Sequence, residues 1–234
     1  MVRDRIRRPP SRRLPVSSIC RRLGRVHGPV RPPAKLPVLD ELVATILSQN
    51  TSDKNSHAAF AALRQKFSSW DDVRRARVPT IVRVIRHGGL ARQKAPRIKA
   101  LLQKIHSRHG TLSLGFLRSM PDAEAAAYLR GFPGVGPKTA ACVLLFACGK
   151  PVLPVDTHVH RVSRRLGLIG PKTSAEQAHE ELAKRVPARQ VLDFHILLVR
   201  HGRNVCTARN PRCSNCVLRQ TCPEGQRRLR KPAR

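Results

Sequence analysis

Leu129-Arg-Gly-Phe-Pro-Gly-Val-Gly-Pro-Lys-Thr-Ala140 is the stretch on which the reading of the chain turns. An apolar helix candidate, 122–130, runs into it and a second, 137–148, runs out, so its glycines fall in a hairpin between two helices. Ser119 with Asp122 three residues later predicts a capping box at the first helix start. Gly134 and Gly136 carry no Cβ, which lets the backbone turn tightly and approach another molecule closely. Pro137 suits the first position of the second helix, where a missing N–H costs nothing. The unpaired N–H groups of that helix start suit an anion such as a phosphate. Lys138 stands beside them. Taken alone, the hairpin fits either a phosphate cradle or an ordinary helix corner with a surface lysine.

Composition narrows the partner. The chain has 234 residues, a formal net charge of +32 and a sequence pI of about 11.7. Charge of that size and sign calls for a polyanion. No apolar run approaches the roughly 20 residues that span a bilayer, so nucleic acid is the expected partner and a membrane is not. Hydrophobic residues make up 41% but aromatics only 3%, so the core must be built from Leu, Val, Ile and Ala. Four of the seven cysteines, Cys206, Cys213, Cys216 and Cys222, crowd near the C-terminus. That clustering reads as a metal site before it reads as disulfides, and implies a reducing compartment.

The rest of the chain reads as helices. Residues 1–35 hold eleven Lys or Arg and one acid, Asp4, which predicts a basic tail, 1–30, that adds nonspecific affinity. An organelle transit peptide is the rival reading, and a helical patch near 16–23 has the pattern to pack onto the body. From Leu39 the apolar positions Leu39, Leu42, Val43, Ile46 and Leu47 follow a helical period. A polar break, 48–53, leads to further helices around Phe60, Ile81 and Leu101. Val159 and Leu166 mark another, Thr173 with Glu176 predicts a capping box, and a last long helix around Phe194 is stopped by Gly202. No stretch alternates with a period of two. The fold class is all-α, with about ten helices and no repeat of fixed period.

Three motifs in order carry a resemblance. The hairpin Gly-Val-Gly-Pro-Lys-Thr-Ala is followed by Pro154-Val-Asp-Thr-His-Val-His-Arg161, with Asp156 eighteen residues beyond Lys138, and then by the quartet Cys-x6-Cys-x2-Cys-x5-Cys. Together, across residues 39–223, they resemble the endonuclease III family of the helix-hairpin-helix (HhH-GPD) DNA glycosylase/AP lyases. The resemblance implies a six-helix barrel over 31–150. It also implies an iron–sulfur domain over 151–225 joined by part of the N-terminal segment, a DNA cleft between the two, and a basic C-terminal tail, 226–234.

The same resemblance assigns roles. Lys138 would be the nucleophile that attacks the sugar C1′ and forms a Schiff base, after which β-elimination cuts the strand. An amine attacks only when uncharged, and a helix N-terminus disfavours positive charge. Pro137 departs from the family, where an Arg is common, which removes a phosphate contact and leaves the nucleophile. Asp156 has the pattern of an N-cap; the matching family residue also stabilises positive charge developing on the sugar. His158 and His160 are expected to serve packing or phosphate contacts. Asn50 would fill the gap left by an extruded base, with Gln49 the alternative. Gly134, Val135 and Gly136 would meet the DNA backbone. The cysteine spacing by itself fits tetrahedral zinc or a [4Fe–4S] cluster, and the resemblance selects the cluster, with Arg209, Arg212 and Arg219 as its basic loop. Cys20, Cys142 and Cys148 are expected as buried thiols.

The expected activity is therefore a monomeric, cytoplasmic, bifunctional glycosylase/AP lyase on duplex DNA with damaged, oxidised pyrimidines or abasic sites. The alternatives are a monofunctional mismatch glycosylase, which generally lacks the lysine, and a lesion-binding module without chemistry, which needs neither Lys138 nor Asp156.

Overall fold

The computed structural model describes residues 14–230, and within them every regular element is helical. Twelve α-helices follow in order: α1 Val16–His27, α2 Val38–Ser48, α3 Asp53–Lys66, α4 Trp70–Arg75, α5 Val78–Val84, α6 Ala91–His109, α7 Asp122–Arg130, α8 Pro137–Phe146, α9 Thr157–Arg165, α10 Ala175–Ala183, α11 Val191–Asn204 and α12 Pro223–Leu229. Among the described residues no helix is long and apolar enough to cross a membrane. The helices divide into two compact units: one spans Pro32–Pro154, and the other takes in the described residues up to Arg31 together with those from Val155 onward.

In the first unit, α2 packs on α3 and α8, α7 on α8, and α6 on α4 and α5. The apolar period of α2 places Leu42, Val43, Ile46 and Leu47 at 0–1% exposure among Leu63, Ile98, Leu101 and Leu144. Lys94 is buried in the same unit, 1% exposed, where a lysine is costly unless paired. Its Nζ donates to the carbonyls of Leu47 at 2.6 Å and Gly88 at 2.9 Å. It thereby clamps the end of α2 to the turn before α6, and burial pulls its amine below the usual lysine range. Lys94→Met keeps the length of the side chain but orphans both carbonyls. It should cost roughly 2–4 kcal/mol, read as a lower midpoint in urea with an unchanged slope.

In the second unit, α1 and α9 pack on α11, and α10 and α12 on α9. α1 is the helical patch expected near 16–23, and it takes the inner part of the expected basic tail, 1–30, into the fold. Val16, Ile19, Cys20 and Leu23 form its buried stripe, so residues 16–27 belong to the folded body. Residues 1–13 and 231–234, the outer parts of both expected tails, lie outside the described residues. The inner part of the C-terminal tail is helical, because 226–229 continue α12. There Glu224 receives Arg227 at 2.8 Å and Arg228 at 2.6 Å, which draws its carboxyl down to about 2.

Three local expectations shift. α7 begins at Pro121 without a side-chain cap; the Ser119 hydroxyl donates to Phe116 O, and Asp122 accepts Lys150 Nζ at 2.9 Å. The box expected at Thr173 and Glu176 forms one residue later between Ser174 and Gln177, because the Thr173 hydroxyl is committed to Glu181 at 2.8 Å. Gly202 lies inside α11 rather than stopping it. A Cβ there would come within 2.9 Å of the His158 side chain, so the glycine is what lets α9 approach α11. The extra helices beyond ten are the short ones, α4 and α12. The first is announced by a real capping box, Ser69 with Asp72.

Candidate functional site

The hairpin joins α7 to α8. Gly134 sits at φ +79°, a conformation that disfavours any side chain, whereas Gly136 is extended. A Cβ on Gly136 would meet nothing within 4 Å. Conformation therefore requires glycine at 134, while at 136 the bare backbone simply lies open beside the helix start. Val135 is buried at 5% and anchors the loop. Pro137 takes the first turn of α8 with Gly136 as its cap residue, and Lys138 follows, half-buried.

α2 presents a polar stripe at helical spacing to this loop: Glu41, Thr45 and Gln49. The Gln49 amide donates to Gly134 O at 3.1 Å and to Thr139 Oγ1 at 3.2 Å. Gln49 is thus committed to bracing the hairpin. Asn50, next along, is exposed and held at φ +53°. One turn back, the buried Thr45 hydroxyl donates to Glu41 Oε1 at 3.2 Å. Burial pushes the Glu41 carboxyl up, and the Thr45 bond and the positive charge of Lys138 pull it back. Glu41 thus puts a partly buried carboxylate in the electrostatic field of Lys138. A lone Glu in an apolar helix gave no sign of this in the sequence.

Asp156 caps α9: its Oδ1 accepts the Val159 N–H at 2.7 Å, and the side chain is half-buried. The flanking histidines have partners within their own unit. His160 Nε2 meets Thr173 O at 2.9 Å, and His158 Nδ1 accepts from Arg161 Nη2 at 3.1 Å.

The four clustered cysteines line one cavity, walled by Val162, Leu166, Val205 and Leu218. All four are free thiols, and no three potential ligands among the described residues converge as around a single metal ion. Burial raises the thiols of Cys213, Cys216 and Cys222, the last to about 11, and charge on neighbouring cysteines adds to the rise. Four such sulfurs lining one cavity need a cationic centre to become thiolates together. Donors suited to thiolates already point at them. Arg165 Nη1 lies 3.2 Å from Cys206 Sγ, Leu218 N 3.4 Å from Cys216 Sγ and Gly225 N 3.3 Å from Cys222 Sγ. The donor set fits a thiolate-bound iron–sulfur cluster.

Arg165 also holds the intervening loop, donating to Thr207 O at 2.7 Å and Ala208 O at 2.8 Å, while Arg161 takes Gly202 O at 2.9 Å. Arg209, Arg212 and Arg219 remain exposed around it. Neither Arg161 nor Arg165 stood out among so many arginines in the sequence. His201 was missed as well; it is 2% exposed, and burial and neighbouring His27 bring it down to about 4, so its ring is neutral. Of the other cysteines, Cys20 and Cys142 are buried as expected, but Cys148 is only half-buried.

An all-helical chain with a glycine hairpin leading into a lysine-bearing helix, and a four-cysteine loop near its end, can be set beside known proteins. Residues 43–188 match the HhH-GPD superfamily of base excision DNA repair proteins, and residues 206–222 match the iron–sulfur binding domain of endonuclease III. A putative DNA glycosylase of Arabidopsis thaliana is 40% identical over 81% of this chain, which spans 62% of that relative's length. Endonuclease III of Sulfolobus acidocaldarius is 34% identical over 79% of this chain and 81% of its own. A solved endonuclease III, trapped as a covalent intermediate with DNA, superposes with a TM-score of 0.78 at 28% identity, over 93% of this chain and 100% of that one. The chain belongs to the endonuclease III family of the HhH-GPD superfamily. It is a DNA-binding base excision repair glycosylase that carries a [4Fe–4S] cluster.

Proposed function

We propose that this enzyme is a bifunctional glycosylase/AP lyase that removes oxidised pyrimidines from duplex DNA and nicks abasic sites by β-elimination. The observation that carries the reading is Lys138 in the first turn of α8, beside an open hairpin backbone. There the free N–H groups of the helix start suit a phosphate. The Lys138 nitrogen attacks C1′ of the sugar, the base departs, and the ring-opened imine loses a proton from C2′ as the 3′ phosphate leaves. Asp156 offsets the positive charge that develops on the sugar. Asn50 fills the gap left by the extruded base, and Gln49 holds the hairpin beside it. Gly134, Val135 and Gly136 carry the phosphate contact. Cys206, Cys213, Cys216 and Cys222 hold the cluster, which when bound ties the loop bearing Arg209, Arg212 and Arg219 into a basic surface. The enzyme works as a monomer in the cytoplasm, its barrel near 31–150 and its cluster domain near 151–225.

The solved endonuclease III trapped as a covalent intermediate with DNA supports a reaction through a covalent enzyme–DNA intermediate. A panel of duplexes, each with one oxidised pyrimidine, one mismatch, one oxidised purine or one abasic site, tests the substrate class. Cutting is expected at the oxidised pyrimidines and the abasic site. Excision confined to mismatches, with the strand left intact, would instead identify a monofunctional enzyme.

A further inference from the structure

The imidazole of His201 on α11 lies between two partners. Its Nε2 is 3.6 Å from Cys216 Sγ, and its Nδ1 is 3.2 Å from Nε2 of His27, the last residue of α1. The two rings meet edge to face, with centroids 5.4 Å apart at 69°. The His201 carbonyl also accepts the N–H of Cys206 at 2.8 Å, so one residue engages two of the four cysteines. His27 is itself held, because Arg200 Nη1 donates to its carbonyl at 3.2 Å.

Chemistry gives this chain a direction. A metal-bound thiolate accepts hydrogen bonds and cannot donate them, so Nε2 of His201 carries the proton. The other ring nitrogen of His201, Nδ1, faces His27 Nε2 at 3.2 Å and extends the contact to the second ring.

We propose that His27 and His201 form a hydrogen-bond relay from α1 to the Cys216 sulfur that raises the reduction potential of the cluster. An N–H donor draws electron density from the thiolate and stabilises the more negative, reduced cluster. The backbone donors on Cys216 and Cys222 end where they begin. His201 alone passes its bond on to a second ring, 174 residues away in the chain. Position of α1 and electronic state of the cluster are thereby linked. The inference rests on Cys216 being a cluster ligand. Cys216→Ser with a full complement of iron and an unchanged visible spectrum would remove that footing, whatever the histidine variants show.

The test measures the cluster reduction potential by voltammetry on the holoenzyme, with iron content and the visible spectrum as controls. His201→Leu should lower the potential while iron stays at the wild-type level. His201→Gln, whose amide N–H can still reach the sulfur, should recover part of the shift. His27→Leu should move the potential in the same direction by less, since it frees Nδ1 without removing the donor to sulfur. A wild-type potential in His201→Leu with full iron overturns the proposal. If that buried substitution prevents folding or loses the cluster, His27→Leu decides, and an unshifted potential there overturns the relay.

Discussion

Lys138→Gln is expected to abolish both base excision and strand cutting while leaving binding to an abasic duplex within a few-fold of wild type. Gln is close in reach and polarity, but its amide nitrogen does not attack C1′ and forms no imine. Binding should persist because the proposed phosphate contact lies on backbone that the substitution does not touch: Gly134 at φ +79°, open Gly136 and the start of α8. Gln49 keeps its bonds to Gly134 O and Thr139 Oγ1, so the hairpin retains its brace. Single-turnover nicking and a filter-binding or anisotropy titration on the same duplex separate the two effects. Cutting at even a hundredth of the wild-type rate would point to another nucleophile.

Asp156→Asn should lower single-turnover excision by about 10²–10³-fold, the scale on which an electrostatic stabiliser acts. Asn caps a helix about as well as Asp, so the bond to Val159 N, 2.7 Å in the native protein, has a replacement and α9 should start where it does now. Thermal stability and abasic-site binding should change little. Asp156→Ala separates cap from charge. It should lose about 1 kcal/mol of stability as well as the activity. Equal activity in Asp156→Asn and wild type would reduce Asp156 to its capping role.

What could be read in the sequence was local. The hairpin, both flanking helices and the cap at Asp156 depend on residues within a few positions of one another, and each forms where spacing placed it. The all-helical class followed from apolar residues at helical period. Features that depend on distant partners were hidden. Lys94 reads as a solvent lysine until the carbonyls of Leu47 and Gly88 close around it. In α1 the apolar stripe of Val16, Ile19, Cys20 and Leu23 showed as a helical patch near 16–23, but α11 as the helix that covers it did not. Thr173 and Ser174 both begin an acceptable capping pattern. The choice between them rests on Glu181, eight residues beyond Thr173. Gly202 reads as a helix stop because the close approach of His158 lies on another helix. The catalytic and cluster assignments came from motif order, whereas Glu41, Arg165 and His201 needed three-dimensional contacts to appear.

Lys138 is expected to become covalently attached to the sugar. Incubating the cluster-loaded protein with a duplex bearing one abasic site, in the presence of borohydride, reduces any imine to a stable amine. Proteolysis and mass spectrometry then locate the modified residue. A protein–DNA adduct in good yield is expected, with the sugar remnant on Lys138. A protein that binds this duplex and carries its cluster yet yields no adduct, or carries the adduct on a different amine, would contradict it.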